Sequence, residues 1–480
     1  MAAADEAEPA AANADAAAPQ LLLVDALLWE QAPRAAVVAA LAQLTPDQQQ
    51  PALALALASP PPHAPALVPL PPSANDDGYP PDYLSGVLQR AVAMFTKTGS
   101  GAVDDALASM LQRALLSTAA EAAPTSNRSR DDPATPLLKT WCYLPPAESA
   151  QYSEALQDLQ EQVEKRRTRR RRQAEEQQER RPNAAPPTTT AAAKPSSGLV
   201  SLRLSPDIFA AGTGATTWAA GFVLAEWLLS RRAAALVRGR RVLELGSGAG
   251  LAGVCAWRAR PSRLTLTDAD PAALRNCATN VSANLEDEDD GGARAVVVGG
   301  KPGDSGEGED DEGGKNQSPQ LRLLRLYWDE APHLPEAVAR EPPDDLIIAA
   351  DVAYDPLILP GLTRALGALL RRRRGEDGNE GTAPSRPMAV VATTVRQEAT
   401  LQLLLDLARR EGLSMTEEAE WWGRRTGAGG EGDEAEAAAR AAAEDGPWGD
   451  DPRFVTVQGL DRRGIKLHVV ELMDEGEVGG

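Results

Sequence analysis

The stretch Arg241-Val-Leu-Glu-Leu-Gly-Ser-Gly-Ala-Gly-Leu-Ala-Gly253 limits what this chain can fold into more than any other. Val242, Leu243 and Leu245 make a short apolar run of the kind that is buried as a strand. Gly246, Ser247, Gly248, Ala249 and Gly250 are too glycine-rich for the interior of a regular element. A helix is predicted to follow over 251–258. Strand, glycine turn and helix bring backbone N–H groups and a helix N-terminus up to a cofactor. A dinucleotide turn of the form G-x-G-x-x-G places its first glycine directly after the strand. Counted from Gly246, its third position falls on Leu251. The register Gly248, Gly250, Gly253 fits that pattern but begins two residues late. Directly after the strand stands Glu244-x-Gly246-x-Gly248-x-Gly250.

Around this turn, strand and helix patterns alternate. Strands are predicted at 241–246, 263–268, 321–328, 345–351 and 388–394, with helices near 251–258, 271–284, 356–373 and 396–411. Such alternation implies a parallel sheet with helices on both faces. Residues 413–422 read as a sixth strand. Residues 453–459 and 465–473 read as a strand pair with no helix between them, most simply antiparallel. Ahead of the turn, Val200, Leu202 and Leu204 alternate as in a strand, and a helix carries Trp218, Phe222, Val223, Trp227 and Leu228.

Composition divides the rest. Aromatic residues are only 4% of 480, and Ala, Gly and Pro dominate several segments that cannot bury enough apolar surface to offset their ordering entropy. The expected layout is a disordered tail (1–19), a helical N-terminal region (20–122), a linker with a charged helical insertion (123–197) and a sheet domain (198–480). Disordered insertions fall at 286–318, 375–386 and 423–452. In the helical region Thr45-Pro46-Asp47 is a start signal. Val103, Leu107, Leu111, Ala114 and Leu115 share one helical face. The region is either packing for the main domain or a platform for a protein substrate. Residues 137–144 have strand composition, and 160–181 carry a basic run flanked by acids and glutamines, read as a solvated helix. The net charge of −20 argues against broad binding to nucleic acid or anionic membranes. Three cysteines without a CxxC pair suggest neither a disulfide framework nor a structural zinc site, and no metal is expected. With no secretory or mitochondrial leader pattern and no run long enough for a membrane span, a cytoplasmic protein is expected.

Two further features carry chemistry. Asp268 closes Leu264-Thr-Leu-Thr-Asp, about 20 residues beyond the glycines, where an acid takes the hydroxyls of an adenosine ribose. It supports a nucleoside without choosing which. Asp270 is the better candidate for capping the helix near Pro271. The fourth strand ends in Asp351-Val-Ala-Tyr354, which sets an acid and a phenol at the carboxyl end of a central strand, where ligands sit in open α/β sheets. Enzymes that methylate amino groups of nucleic-acid bases carry D/N-P-P-Y/F at this place. Val352 and Ala353 stand where the prolines would be, which counts against a base substrate.

Taken together, Glu244-x-Gly-x-Gly-x-Gly250, Gly212-Thr-Gly-Ala-Thr-Thr-Trp218, Leu224-Ala-Glu-Trp227, Trp328-Asp329, Ile348-Ala-Ala-Asp-Val-Ala-Tyr354 and Thr394-Val-Arg396 resemble the family-16 group of seven-β-strand (class I) S-adenosylmethionine-dependent protein methyltransferases. The nearest likeness is to its members that methylate a lysine of translation elongation factor 2. That resemblance implies a Rossmann-like seven-stranded α/β sheet and S-adenosyl-L-methionine as methyl donor. It implies a protein partner, translation elongation factor 2, with no direct nucleic-acid or membrane contact. It would place Trp218, Gly246, Ser247, Gly248, Gly250, Asp268, Trp328 and Ala350 against the cofactor. Glu244 would bond the methionine ammonium or steady the turn, which Gly250 completes. Asp351 and Tyr354 are the candidates for orienting the acceptor amine. Arg396 would position substrate or salt-bridge Asp351. The alternatives are another protein substrate or a small molecule.

Overall fold

The computed structural model describes residues 34–44, 46, 48–50, 52–53, 81–98, 137–145, 149–159, 161–162, 198–205, 212–285, 295–297, 320–328, 336–339, 343–372, 386–426, 453–454 and 462–473. The tail 1–19, the apolar face at 103–115, all but 161–162 of the basic run 160–181, the linker 182–197 and nearly all of the loops 375–386 and 423–452 lie outside them. The chain divides into two compact units. One comprises Met1–Pro187, Pro195–Arg203 and Arg453–Gln458; the other comprises Thr188–Lys194, Leu204–Pro452 and Gly459–Gly480.

In the first unit, helices α1 (Arg34–Leu41) and α2 (Pro81–Thr98) pack together. Val87, Leu88, Ala91 and Phe95, buried at three- and four-residue spacing, form the apolar stripe of α2. Strands β1 (Leu137–Leu144), β2 (Gly198–Leu204) and, later in the chain, Arg453–Phe454 make a three-stranded sheet with β1 in the middle. Thr140 and Ser201 share a buried hydroxyl–hydroxyl bond of 2.8 Å. The rings of Tyr143 and Phe454 meet edge to face at 5.9 Å.

The second unit carries helices α3 (Ala219–Leu229) and α4 (Arg231–Val237), strand β3 (Arg241–Leu245), helix α5 (Leu251–Arg258), strand β4 (Arg263–Asp268) and helix α6 (Pro271–Leu285). Then come β5 (Ala295–Val297), β6 (Gln320–Arg325), α7 (Glu336–Ala339), β7 (Leu346–Ala350), α8 (Leu359–Leu370), β8 (Met388–Thr394) and α9 (Glu398–Arg410). Strand β9 (Leu413–Glu417) and helix α10 (Glu418–Thr426) follow; β10 is the Arg453–Phe454 strand of the first unit, and β11 is Ile465–Leu472. Among the described residues the sheet has eight strands in the order β5-β6-β4-β3-β7-β8-β11-β9. All its pairs are parallel except those of β11, which runs antiparallel to β8 and β9.

The apolar runs explain the layering. Leu243, Leu245, Ile347, Ala349, Ala389 and Val391 pack with Leu362 and Leu366 of α8 and Leu404 of α9. The intervening Val242, Ile348 and Val390 are equally buried on the other face, where α3 packs on β7, β8 and α5. Strands covered on both faces read as continuous apolar runs. Each fully buried aliphatic side chain contributes about 1.5–3 kcal/mol. The chain steps outward from β3 through β4 to β6, then returns to β7 and β8 on the other side. The carboxyl ends of β3 and β7 therefore flank the switch point, where a ligand crevice opens.

The seven-stranded α/β sheet read from the sequence is present, and an eighth strand, β5, is added at its edge from within 286–318. Two local expectations are corrected. Strand character at 413–422 stops at Glu417, and 418–426 is helical. Glu418 and Glu420 sit in the first turn of α10, where acids are favoured by the helix dipole. The buried Glu418 carboxylate accepts the Trp227 indole N–H at 3.1 Å. The strand expected at 453–459, described only at Arg453–Phe454, does not pair there with the one expected at 465–473. Phe454 pairs with Tyr143, while β11 inserts between β8 and β9. Val469 and Val470, adjacent residues both buried, require cover on both faces, which an interior place supplies.

Candidate functional site

The glycine turn leaves the end of β3 and is stitched to β4. The Ser247 amide donates to the Thr267 carbonyl at 2.8 Å, and the Thr267 amide donates to Ser247 Oγ at 3.1 Å. Gly246 has φ 67°, in the left-handed region, and a Cβ there would lie 2.9 Å from Val352 Cγ1. Gly248 has φ 50°, and a Cβ there would meet the Gly214 backbone at 3.4 Å. The 212–218 loop thus lies directly over the turn. Gly250 has another place: it caps α5 and packs against Cys277 and Val281.

A cleft of about 640 Å³ opens here. It is lined by Trp218, Glu244, Gly246, Ser247, Gly248, Asp268, Trp328, Ala350, Asp351, Tyr354 and Arg396. Of the residues singled out in the sequence, only Gly250 is not part of the lining. Strand β6 ends at Arg325, so Tyr327 and Trp328 fall in the loop beyond it, beside the turn. Tyr327, Thr216 and Thr217 also line the cleft. The two threonines stand within the Gly212–Trp218 motif, and Tyr327 stands next to Trp328. Those neighbours were the available signal.

One wall is acidic. The Glu244 side chain is buried, and its Oε2 has no hydrogen-bond partner among the described residues. Burial pushes its carboxyl up to about 8; a hydrogen bond from Ser247 works against this, and the charge of Asp268 adds to it. Asp268 accepts the Gly248 amide at 3.0 Å and the Asp270 amide at 2.9 Å. Burial raises its pKa, while these backbone bonds restrain the rise. Asp270 accepts the Ala272 amide at 2.8 Å and is the cap of α6. Asp268 therefore has no capping task.

The opposite wall is built on Asp351. Its carboxylate receives the Thr394 amide at 3.0 Å on Oδ1, and the Thr394 hydroxyl at 3.0 Å and the Ala220 amide at 3.2 Å on Oδ2. Arg396 Nη2 stands 3.9 Å from Oδ2, with its side chain 46% exposed. The Arg396 guanidinium also lies over the Trp218 ring, 5.5 Å from its centroid. The Trp218 indole N–H donates to the Thr213 carbonyl at 3.0 Å. Tyr354 is 49% exposed, and Leu357, three residues on, is 84% exposed.

Chemically, the first wall suits a ligand carrying both a cation and a diol. A buried carboxylate oxygen without a partner fits an ammonium group, and a half-buried acid fits ribose hydroxyls. The turn presents backbone with no Cβ in the way. These features fit S-adenosylmethionine, with Glu244, Asp268, the Gly246–Gly248 backbone and the face of Trp328 as the groups that would hold it. The second wall offers a fixed carboxylate and an accessible phenol to a second reactant.

Residues 200–295 match the family model described as lysine methyltransferase. The human protein-lysine N-methyltransferase EEF2KMT is 34% identical over 224 residues, covering 46% of this chain and 57% of that protein. The protein of the same name from Bos taurus is 33% identical, covering 44% and 55%. The Saccharomyces cerevisiae protein-lysine N-methyltransferase EFM3 is 23% identical, covering 45% and 55%. The chain thus spans a little over half the length of the curated relatives it matches.

Proposed function

We propose that this chain, whose residues 200–295 match the family model described as lysine methyltransferase, is an S-adenosylmethionine-dependent protein-lysine N-methyltransferase acting on translation elongation factor 2 in the cytoplasm. The observation that carries the reading is that one cleft joins two walls: Asp268 and a buried Glu244 whose Oε2 has no partner among the described residues on one side, Asp351 and Tyr354 on the other. The elongation factor enters through the motif resemblance and through the lysine methyltransferases among the relatives. In the proposed layout 198–480 carries the chemistry.

Bound S-adenosylmethionine supplies an electrophilic methyl group on a sulfonium. Glu244 would receive the ammonium of its methionine moiety, Asp268 would take the ribose hydroxyls, and Trp328 would offer a flat face to the adenine. The acceptor lysine is protonated near neutral pH in water and must lose that proton before its lone pair can attack. Burial in the cleft disfavours the ammonium and moves the equilibrium toward the amine. Asp351 Oδ1 and the Tyr354 hydroxyl then orient the neutral amine, because attack requires reacting atoms held about 3–3.5 Å apart. Water carries the proton away. Arg396, held over Trp218 and near Asp351, steadies the wall.

The test is incubation of the full chain with S-adenosylmethionine and purified elongation factor 2, read by peptide mass spectrometry. A methyl-bearing lysine is expected. A chain that binds the cofactor yet modifies no lysine of the factor removes that substrate. Transfer to a small amine instead removes the protein class.

A further inference from the structure

Asp351 is one of two non-glycine residues with positive φ among those described, at 51°. Such a conformation is unfavourable for an ordinary residue and persists only where the surroundings over-determine it. Here they do. The Asp351 amide donates to the Ala392 carbonyl at 2.9 Å, which fixes the main chain at the end of β7. Its side chain is then held by donors from two other elements. Thr394, at the end of β8, provides one donor to each carboxylate oxygen, its amide to Oδ1 and its hydroxyl to Oδ2. The Ala220 amide, in the first turn of α3, adds a second bond to Oδ2. An amide there has no acceptor within its own helix, so this bond satisfies a group that would otherwise lack one. Arg396 also approaches Oδ2. Oδ2 is therefore filled, while Oδ1 has a single partner among the described residues and keeps acceptor capacity. Two donors from one residue, one to each oxygen, fix the plane of the carboxylate as well as its position.

We propose that Thr394 is a positioning residue of the acceptor site: its hydroxyl and amide orient the Asp351 carboxylate so that Oδ1 alone is left for an incoming amine, and the same carboxylate pins the Trp218 end of α3. The inference rests on the methyl-transfer reading for its first half; the second half is a property of the folded chain itself. Thr394 is not among the residues lining the cleft, so it acts through Asp351. A valine in its place keeps the branched shape and the backbone donor and removes the hydroxyl bond alone. The carboxylate can then turn about the remaining bonds, and a few tens of degrees is enough to spoil an attack geometry.

The experiment compares Thr394→Val, Thr394→Ser and the unaltered full chain. Thr394→Val is expected to lower kcat for protein methylation about tenfold, the scale of one lost bond to a charged group. Its KM and Kd for S-adenosylmethionine should stay within about twofold. Thr394→Ser, which restores the hydroxyl, is expected to recover most of the rate. Hydrogen exchange in the chain without added cofactor gives an independent reading: the Ala220 amide should exchange about tenfold faster in Thr394→Val than in the other two. Wild-type turnover by Thr394→Val, equal impairment of the valine and serine variants, or unchanged exchange at Ala220 overturns the proposal. If the unaltered chain methylates no protein amine, the functional reading falls by that result, and the exchange comparison still decides whether Thr394 holds Asp351.

Discussion

The two walls of the cleft solve opposite problems with the same side-chain chemistry. On the β3–β4 side, Glu244 is buried with an oxygen that no described residue satisfies, and its carboxyl is pushed up to about 8. On the β7–β8 side, Asp351 is equally buried, but three hydrogen bonds and a nearby guanidinium surround it. The first wall is complete only when a cation arrives; the second is complete beforehand. Under the proposed function, a donor held by complementary charge and an acceptor held by preset geometry would need these different preparations. Binding energy gathered on one side then meets fixed orientation on the other.

The sharpest way to break this contrast is Glu244→Gln. In the folded chain Glu244 keeps its proton up to about pH 8, whereas an unperturbed glutamate gives it up near 4.5. The folded state thus binds one more proton across that window, so its stability falls as pH rises from about 4.5 to 8. The slope approaches about 1.4 kcal/mol per pH unit from this group. Glu244→Gln removes that contribution: urea unfolding should show similar stability to the parent at pH 5 and a gain of a few kcal/mol at pH 8. If the difference between parent and variant does not change with pH, the wall is not charge-starved. The parent's affinity for S-adenosylmethionine should also rise with pH across this range, because Glu244 must ionise to receive an ammonium.

Next in size, Asp268→Asn should weaken cofactor binding by about 10–100-fold in calorimetry, the scale of one or two charge-assisted hydrogen bonds. Methyl transfer at saturating cofactor should largely survive. Gly246→Ala places a Cβ 2.9 Å from Val352 at a positive φ. It should cost about 1–3 kcal/mol of stability in denaturant titration and disturb both walls together, since Val352 adjoins Asp351. A loss confined to cofactor binding would show that the walls are less coupled than the packing indicates. The smallest effect belongs to Arg396→Gln. Its ion pair is long and half-exposed, and its contact with Trp218 is a surface cation–π stack, so the change should stay under about 1 kcal/mol and alter turnover only a few-fold. A hundredfold loss of kcat there would move Arg396 from support into contact with the reactants.

Legibility followed range. β3, β7 and β8 announce themselves because strands buried on both faces are unbroken apolar runs. The turn at 246–250 announces itself because only glycine tolerates its backbone. Trp218, Glu244, Asp268, Asp351 and Tyr354 could be found because each stands at an element end, in a motif or at a fixed distance from one. The role of Thr394 could not be read, because its partner is 43 residues away and adjacent only through the pairing of β7 with β8. Helix α10 was missed because its two tryptophans resemble strand composition, while the force that sets it, the burial of Glu418 against Trp227, spans 191 positions. Strand β5 sits in Gly/Asp/Glu-rich sequence that gives no period at all. The partner of Phe454 lies in the same unit but over 300 residues earlier.

The insertion of β11 between β8 and β9 also imposes an order on assembly. During synthesis β8 leaves the ribosome more than 70 residues ahead of the strand that pairs with its outer edge. Until Ile465–Leu472 emerges, Met388-Ala-Val-Val-Ala-Thr-Thr394 presents an uncharged edge of high strand propensity, the kind of template on which nascent chains mispair. The interval is lengthened by the Gly/Ala/Glu-rich stretch after α10, so the time this edge spends unpaired grows with the length of that stretch. Shortening that stretch should therefore change the yield of soluble chain during translation more than it changes the activity of the finished molecule.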